Sequence, residues 1–129
     1  MIVVDTSVWV PFFNGVRNTQ TTTLLSLLGN RKVIVGDVIL TEVLQGFRSQ
    51  RDYESAKRLM TRVPAEEMLG EQAAIAAADS YRLLRRRGIT IRKTIDVIIA
   101  THCVREGHTL LHDDRDFTLA APVLGLREL

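Results

Sequence analysis

The chain has one cysteine, Cys103, in 129 residues. It cannot form an internal disulfide or a thiolate cage, so a secreted disulfide scaffold is excluded and any metal must be held by oxygen or imidazole. Aromatic residues make up only 5%, which leaves few platforms for stacking bases and weighs against a non-catalytic RNA-binding module. The longest apolar run, Val8 to Phe13, falls far short of the ~18 residues that a membrane span needs. The start, Met1-Ile2-Val3-Val4-Asp5, lacks the basic region and apolar stretch of a signal peptide. A soluble, cytoplasmic protein without membrane attachment is expected. Internal repeats, low-complexity segments and linkers are absent.

The remaining composition is that of a single globular domain spanning residues 1–129, with 46% hydrophobic and 25% charged residues. The net charge of +2 hides an asymmetry. Between Ser80 and Ile95 there is no acid, yet Arg82, Arg85, Arg86, Arg87, Arg92 and Lys93 all fall there. Arginine outnumbers lysine fourteen to three, and the planar guanidinium fork suits phosphate and carboxylate better than an ammonium does. The segment is either a solvated helix end whose cations complement the helix dipole or a surface for a polyanion.

Short β-branched runs alternate with helical patterns. Ile2 to Val4 reads as a strand buried on both faces, followed by helix-capping chemistry at Asp5-Thr6-Ser7. Lys32 to Val35, Val63 to Met68 and Thr109 to Leu111 read as further strands, and Pro122 to Leu126 as an edge strand with proline first. Helices are predicted over Thr19 to Leu28, Val38 to Phe47, Gln50 to Arg62, Gly70 to Arg87 and Thr94 to Glu106, the last stopped by Gly107. This alternation implies an α/β fold: a short, mostly parallel sheet flanked by helices on both sides. In such sheets ligands bind beyond the carboxyl ends of the strands, so acids found there carry the most information.

Asp5 ends the first strand, and Asp113, Asp114 and Asp116 follow Thr109 to Leu111. Asp96 sits just inside a helix that Thr94 can cap, on one stripe with Ile99, Ala100 and Cys103. Glu42 follows the second strand by a turn or two, on a partly apolar face. Any one of these acids could be a cap. Together they resist that explanation, because two carboxylates ~5 Å apart at an effective dielectric of about 20 repel by roughly 3 kcal/mol, and a cluster persists only by protonating or holding cations. Mg²⁺ or Mn²⁺, bound through one or two carboxylates with waters and substrate phosphate, fits such a set. Of the three histidines, His102 and His108 read as a helix-surface and a loop residue. His112, beside Asp113 and Asp114, is the one that could contact substrate. No Ser-His-Asp or Cys-His pair offers a nucleophile, and Cys103 falls on the buried stripe.

Four segments taken together resemble the successive signatures of PIN-domain ribonucleases, and of VapC-type toxins in particular. They are Ile2-Val3-Val4-Asp5-Thr6-Ser7, Thr41-Glu42-Val43-Leu44-Gln45-Gly46, Thr94-Ile95-Asp96-Val97-Ile98-Ile99-Ala100, and Thr109-Leu110-Leu111 followed by Asp114-Arg115-Asp116-Phe117. The resemblance implies a PIN-like domain in which Asp5, Glu42, Asp96 and one or both of Asp114 and Asp116 line one acidic pocket that binds Mg²⁺ or Mn²⁺ and cleaves RNA. Thr6 and Ser7 would support the pocket as hydroxyl ligands or as hydrogen-bond donors to Asp5.

The chemistry of such a pocket is metal-assisted phosphodiester hydrolysis, in which a bound cation lowers the pKa of its water toward neutrality. Setting aside the five candidate acids leaves 17 cations against ten acids, a balance of +7 that suits a phosphate backbone around an acidic centre. Arg85, Arg86, Arg87, Arg92 and Lys93 are the residues expected to meet that backbone. The resemblance further implies a homodimer and a small antitoxin protein whose C-terminal segment folds over the toxin. An antitoxin arginine would compete with the cation, and the helices around Thr19 to Leu28 and Val38 to Phe47 would supply its groove. The nearest alternative is an RNA-processing PIN nuclease without an antitoxin. An aspartyl-phosphate phosphatase, which also begins with a strand and an aspartate, needs a second aspartate where this chain has Ser7.

Overall fold

The computed structural model describes residues 1–129. Its sheet is wholly parallel, with five strands in the order β3-β2-β1-β4-β5: β1 (Ile2–Val4), β2 (Val33–Gly36), β3 (Ala65–Glu66), β4 (Thr109–Leu111) and β5 (Arg127–Glu128). Seven helices connect and flank these strands: α1 (Thr6–Phe13), α2 (Thr19–Gly29), α3 (Asp37–Gln45), α4 (Gln50–Met60), α5 (Glu71–Arg86), α6 (Thr94–Glu106) and α7 (Arg115–Leu124). Parallel neighbours require such crossovers, which cover both faces of the sheet and make its strands apolar throughout. Val3, Val4, Val35 and Leu110 are accordingly fully buried.

β1 is the central strand. It pairs with β2 through Ile2↔Val33 and Val3↔Ile34, and with β4 through Ile2↔Thr109, Val3↔Leu110 and Val4↔Leu111. The Asp5 amide extends this second ladder by donating to the Leu111 carbonyl (2.9 Å). The main core packs Trp9, Leu24, Ile39, Met60, Ile99 and Phe117 against these strands, and a smaller one joins Ala77, Leu84, Ile91, Val97 and Ala120. α6 contributes to both, Ile99, Ala100 and Cys103 to the first and Val97 to the second.

Three expectations are corrected. The segment from Pro122 to Leu126 is not a strand: α7 runs through Pro122 to Leu124, and the edge strand begins only at Arg127. Pro122 lies exposed near the end of α7, where the amide it lacks would have bonded the carbonyl of the exposed Thr118, a group that water can satisfy. The strand expected over Val63 to Met68 shrinks to Ala65–Glu66. Thr94 does not cap α6; Lys93 is the N-cap and makes no side-chain capping bond, so Asp96 supplies the negative charge of the first turn. The stop at Gly107 holds, in the left-handed conformation at φ 71°.

Gly36 ends β2 and starts the helix that carries Glu42. A Cβ there would lie 2.3 Å from both Sδ and Cε of Met68, itself fully buried. Gly36→Ala is therefore expected to destabilise the fold by about 1–3 kcal/mol through overpacking, read as a lower urea midpoint at unchanged slope.

Candidate active site

The carboxyl ends of β1 and β4 and the starts of α1, α6 and α7 meet in one cleft. Asp5, Thr6, Ser7, Val10, Pro11, Glu42, Lys93, Asp96 and Asp114 line it, enclosing about 280 Å³. A water takes up roughly 30 Å³ of liquid volume, so this space holds a hydrated ion and a phosphate group.

Each acid has a local reason for its position. Asp5 leaves the sheet where β1 ends and caps α1, its Oδ2 accepting the Ser7 amide at 3.0 Å. Glu42 comes from α3, and its Oε1 accepts the Thr6 hydroxyl at 2.8 Å. Asp114 caps α7, with Oδ1 accepting the Asp116 amide at 2.9 Å. Asp96 stands in the first turn of α6. Thr6 and Ser7 both line the cleft, but of the two roles expected for their hydroxyls the bond to Asp5 is not made: that of Thr6 serves Glu42, and that of Ser7 accepts the Asp113 amide (3.0 Å). The help Asp5 receives comes from the Ser7 backbone instead.

This arrangement concentrates negative charge in a dry place. Asp5 and Asp96 are 4% and 6% exposed. Burial, followed by the charges of Asp5, Asp114 and Glu42, raises the Asp96 pKa to about 7, against a smaller opposing pull from Lys93. Asp5 Oδ1 is buried with no hydrogen-bond partner. An orphaned carboxylate oxygen on an acid that shares its cleft with three others offers the all-oxygen donors that a hard divalent cation takes, and the residue types present fit one. Cys103 is excluded as a nucleophile, since burial, with Glu66 and Asp5, pushes its thiol up to about 12.

Other predicted residues lie elsewhere. Asp116 is buried outside the cleft lining and accepts both the amide (3.5 Å) and Nε (3.4 Å) of Arg92, whose side chain nevertheless stays 80% exposed. His112 is tied to Glu128 through Nε2 (2.8 Å), and its Nδ1 accepts the Asp114 amide (3.1 Å); it supports the loop and does not line the cleft. Arg85 and Arg86 occupy the last turn of α5 and Arg87 its C-cap, with Arg85 donating to the Tyr81 hydroxyl (3.0 Å) and lying 5.8 Å from its ring centre. Lys93, predicted for the backbone surface, lines the cleft itself. Sequence reasoning missed Val10 and Pro11 as cleft residues and placed His102 on the surface, whereas it is 7% exposed.

The parallel order and the acid that follows the central strand define a PIN domain. The PIN domain family matches residues 2–121, and the chain belongs to it. Ribonuclease VapC11 of Mycobacterium tuberculosis is 30% identical over 98% of this chain and 96% of its own length. The fold is shared with VapBC2 from Rickettsia felis, solved bound to a promoter DNA fragment, at a TM-score of 0.79 and 18% identity over 100% of this chain and 98% of that one. It is also shared with Mycobacterium tuberculosis VapC20, a sarcin-ricin loop cleaving toxin, at a TM-score of 0.67 and 21% identity over 93% and 95%.

The raised Asp96 pKa has a stability consequence of definite sign. Between its ordinary value of 3.8 and about 7 the native protein holds a proton that the unfolded chain has released. Stability contributed by Asp96 is therefore full below pH ~4, falls as pH rises to ~7 and levels beyond. Urea midpoints measured across this window without divalent ions are expected to fall more steeply for the wild type than for Asp96→Asn, and added divalent cation is expected to flatten the wild-type curve.

Proposed function

We propose that the protein is a metal-dependent endoribonuclease that uses Mg²⁺ or Mn²⁺ and acts as the toxin of a type II toxin-antitoxin pair. The observation that carries this reading is the buried, unpartnered Asp5 Oδ1 in a cleft shared with Glu42, Asp96 and Asp114. Membership of the PIN domain family and likeness along its whole length to a VapC ribonuclease support the same conclusion.

Asp5, Glu42, Asp96 and Asp114 would hold the cation, with Asp116 acting on the site through its bond to the Asp114 cap. When bound, the ion supplies water activation and neutralises charge that develops on the phosphate. The chain's own groups do the rest. Thr6 orients Glu42, and the Ser7 amide fixes one oxygen of Asp5, leaving the other without a protein partner. Lys93, on the cleft wall, is placed to meet a substrate phosphate. The antitoxin would lay its C-terminal segment along the helices around Thr19 to Leu28 and Val38 to Phe47, where a groove beside α2 is lined by Phe12, Val16, Thr21 and the exposed Leu25, and present an arginine to the acids. A homodimer completes the proposed assembly.

Purified protein is expected to cleave RNA with Mg²⁺ or Mn²⁺ and not with EDTA, and Asp5→Ala or Asp96→Ala to lower the rate by roughly 100-fold or more, a loss of about 3 kcal/mol of transition-state stabilisation. Induced alone, the protein should arrest growth, and a co-induced antitoxin should relieve the arrest. Cleavage surviving EDTA refutes the nuclease assignment, and harmless expression of an active enzyme refutes the toxin role in favour of RNA processing. Replacing Arg85, Arg86 and Arg87 by Gln should weaken RNA binding and reduce the slope of log K against log[salt] by about 0.7 for each phosphate of single-stranded RNA that is no longer neutralised.

A further inference from the structure

Away from the acidic cleft, Glu66 on β3, His102 in the second half of α6 and His108 just before β4 converge, and none of the three lines the cleft. Their ligand atoms all lie within 4.8 Å of one another, close enough to share one ion. We propose that these three residues form a second metal site that takes a divalent transition ion of borderline softness, for which Zn²⁺ is the representative.

Both imidazoles aim the same atom at the same oxygen. Nε2 of His108 lies 2.6 Å and Nε2 of His102 lies 3.4 Å from Glu66 Oε1. Ligand atoms bound tetrahedrally at about 2.1 Å from an ion are roughly 3.4 Å apart. The His102–Glu66 separation already has that value, and the His108–Glu66 contact reaches it by opening less than an ångström. The His102 side chain is 7% exposed and that of His108 11%, while Glu66 at 31% leaves one side open for a water or fourth ligand. Two imidazoles with one carboxylate and an open position suit zinc and its neighbours, whereas Mg²⁺ prefers the all-oxygen donors of the cleft.

Electrostatics agree with the geometry. Burial acts to raise the Glu66 pKa, but the hydrogen bonds and charges of His108 and His102 outweigh it and hold the carboxyl below its ordinary value. The ligand is therefore an anion. One carboxylate balances one imidazolium, so two rings with centres 5.9 Å apart are not both neutralised by Glu66 when charged. A dication bound to two neutral imidazoles avoids this conflict. Such an ion would also join an edge strand of only two residues to segments 36 and 42 residues distant in sequence.

The test uses intact wild-type protein in excess Mg²⁺, which saturates oxygen-ligand positions, titrated with Zn²⁺. Side-chain imidazole signals are followed by NMR, and binding and melting temperature are measured in parallel. The ring signals of His102 and His108 should shift to saturation at one equivalent while those of His112, bonded to Glu128, stay in place, with Tm rising by several degrees. His108→Asn and Glu66→Gln should each weaken Zn²⁺ binding at least tenfold while leaving Mg²⁺-supported RNA cleavage in place. If the His102 and His108 signals do not move, if all three histidines respond alike, or if either folded variant binds Zn²⁺ as the wild type does, the site is refuted. The wild-type spectrum alone decides the matter should a variant fail to fold, and the NMR, Zn²⁺-binding and melting readouts do not depend on the nuclease assignment.

Discussion

Val3 and Val4 are held between β2 and β4 by hydrogen bonds on both edges and by apolar layers on both faces. From this central position the chain has one way out at the carboxyl end, and Asp5 is the first residue past it. The bond from its amide to Leu111 continues the ladder, and its carboxylate caps α1. Asp5 is therefore fixed by hydrogen bonds of both its backbone and its side chain at the end of a buried strand. The other acids approach it from α3, α6 and α7, elements that pack on the same strands. Charge repulsion at this point is sustained because the sheet cannot relax without losing its centre.

Much of this was legible in the chain. Short β-branched runs located the three inner strands β1, β2 and β4, and each acid near a strand end or helix start was visible because parallel α/β sheets put binding groups there. What escaped depends on contacts between distant segments. The pairing of Thr6 with Glu42 spans 36 residues, and no local pattern distinguishes it from Thr6 with Asp5. The engagement of Arg92 with Asp116 is equally non-local. Pro122 misled because a proline late in a helix costs little when the orphaned carbonyl faces water.

His102 shows a different limit. A helix on the surface has one apolar stripe, and residues off the stripe are taken as exposed. α6 instead lies between two cores, and Asp96, Val97, Ile99, Ala100, Thr101, His102 and Cys103 are all buried. Periodicity carries no information about facing in such an element, so a buried polar residue announces itself only through its partners. The same helix holds Asp96 near its start and His102 six residues on, about 9 Å along the axis. Two polar centres of different chemistry thus share one rigid support.

The register of β1 against β4 also bears on how the cleft assembles. Val4 pairs with Leu111, and Asp114 follows three residues later. The cleft therefore joins segments far apart in sequence, 106 residues for the bond between Asp113 and Ser7, a topology that slows folding. A chain lacking residues 109–114 leaves one edge of the central strand unpaired and has no fourth carboxylate. A polypeptide cut short before residue 109 is thus structurally incapable of assembling its acidic centre, however well its earlier strands and helices form.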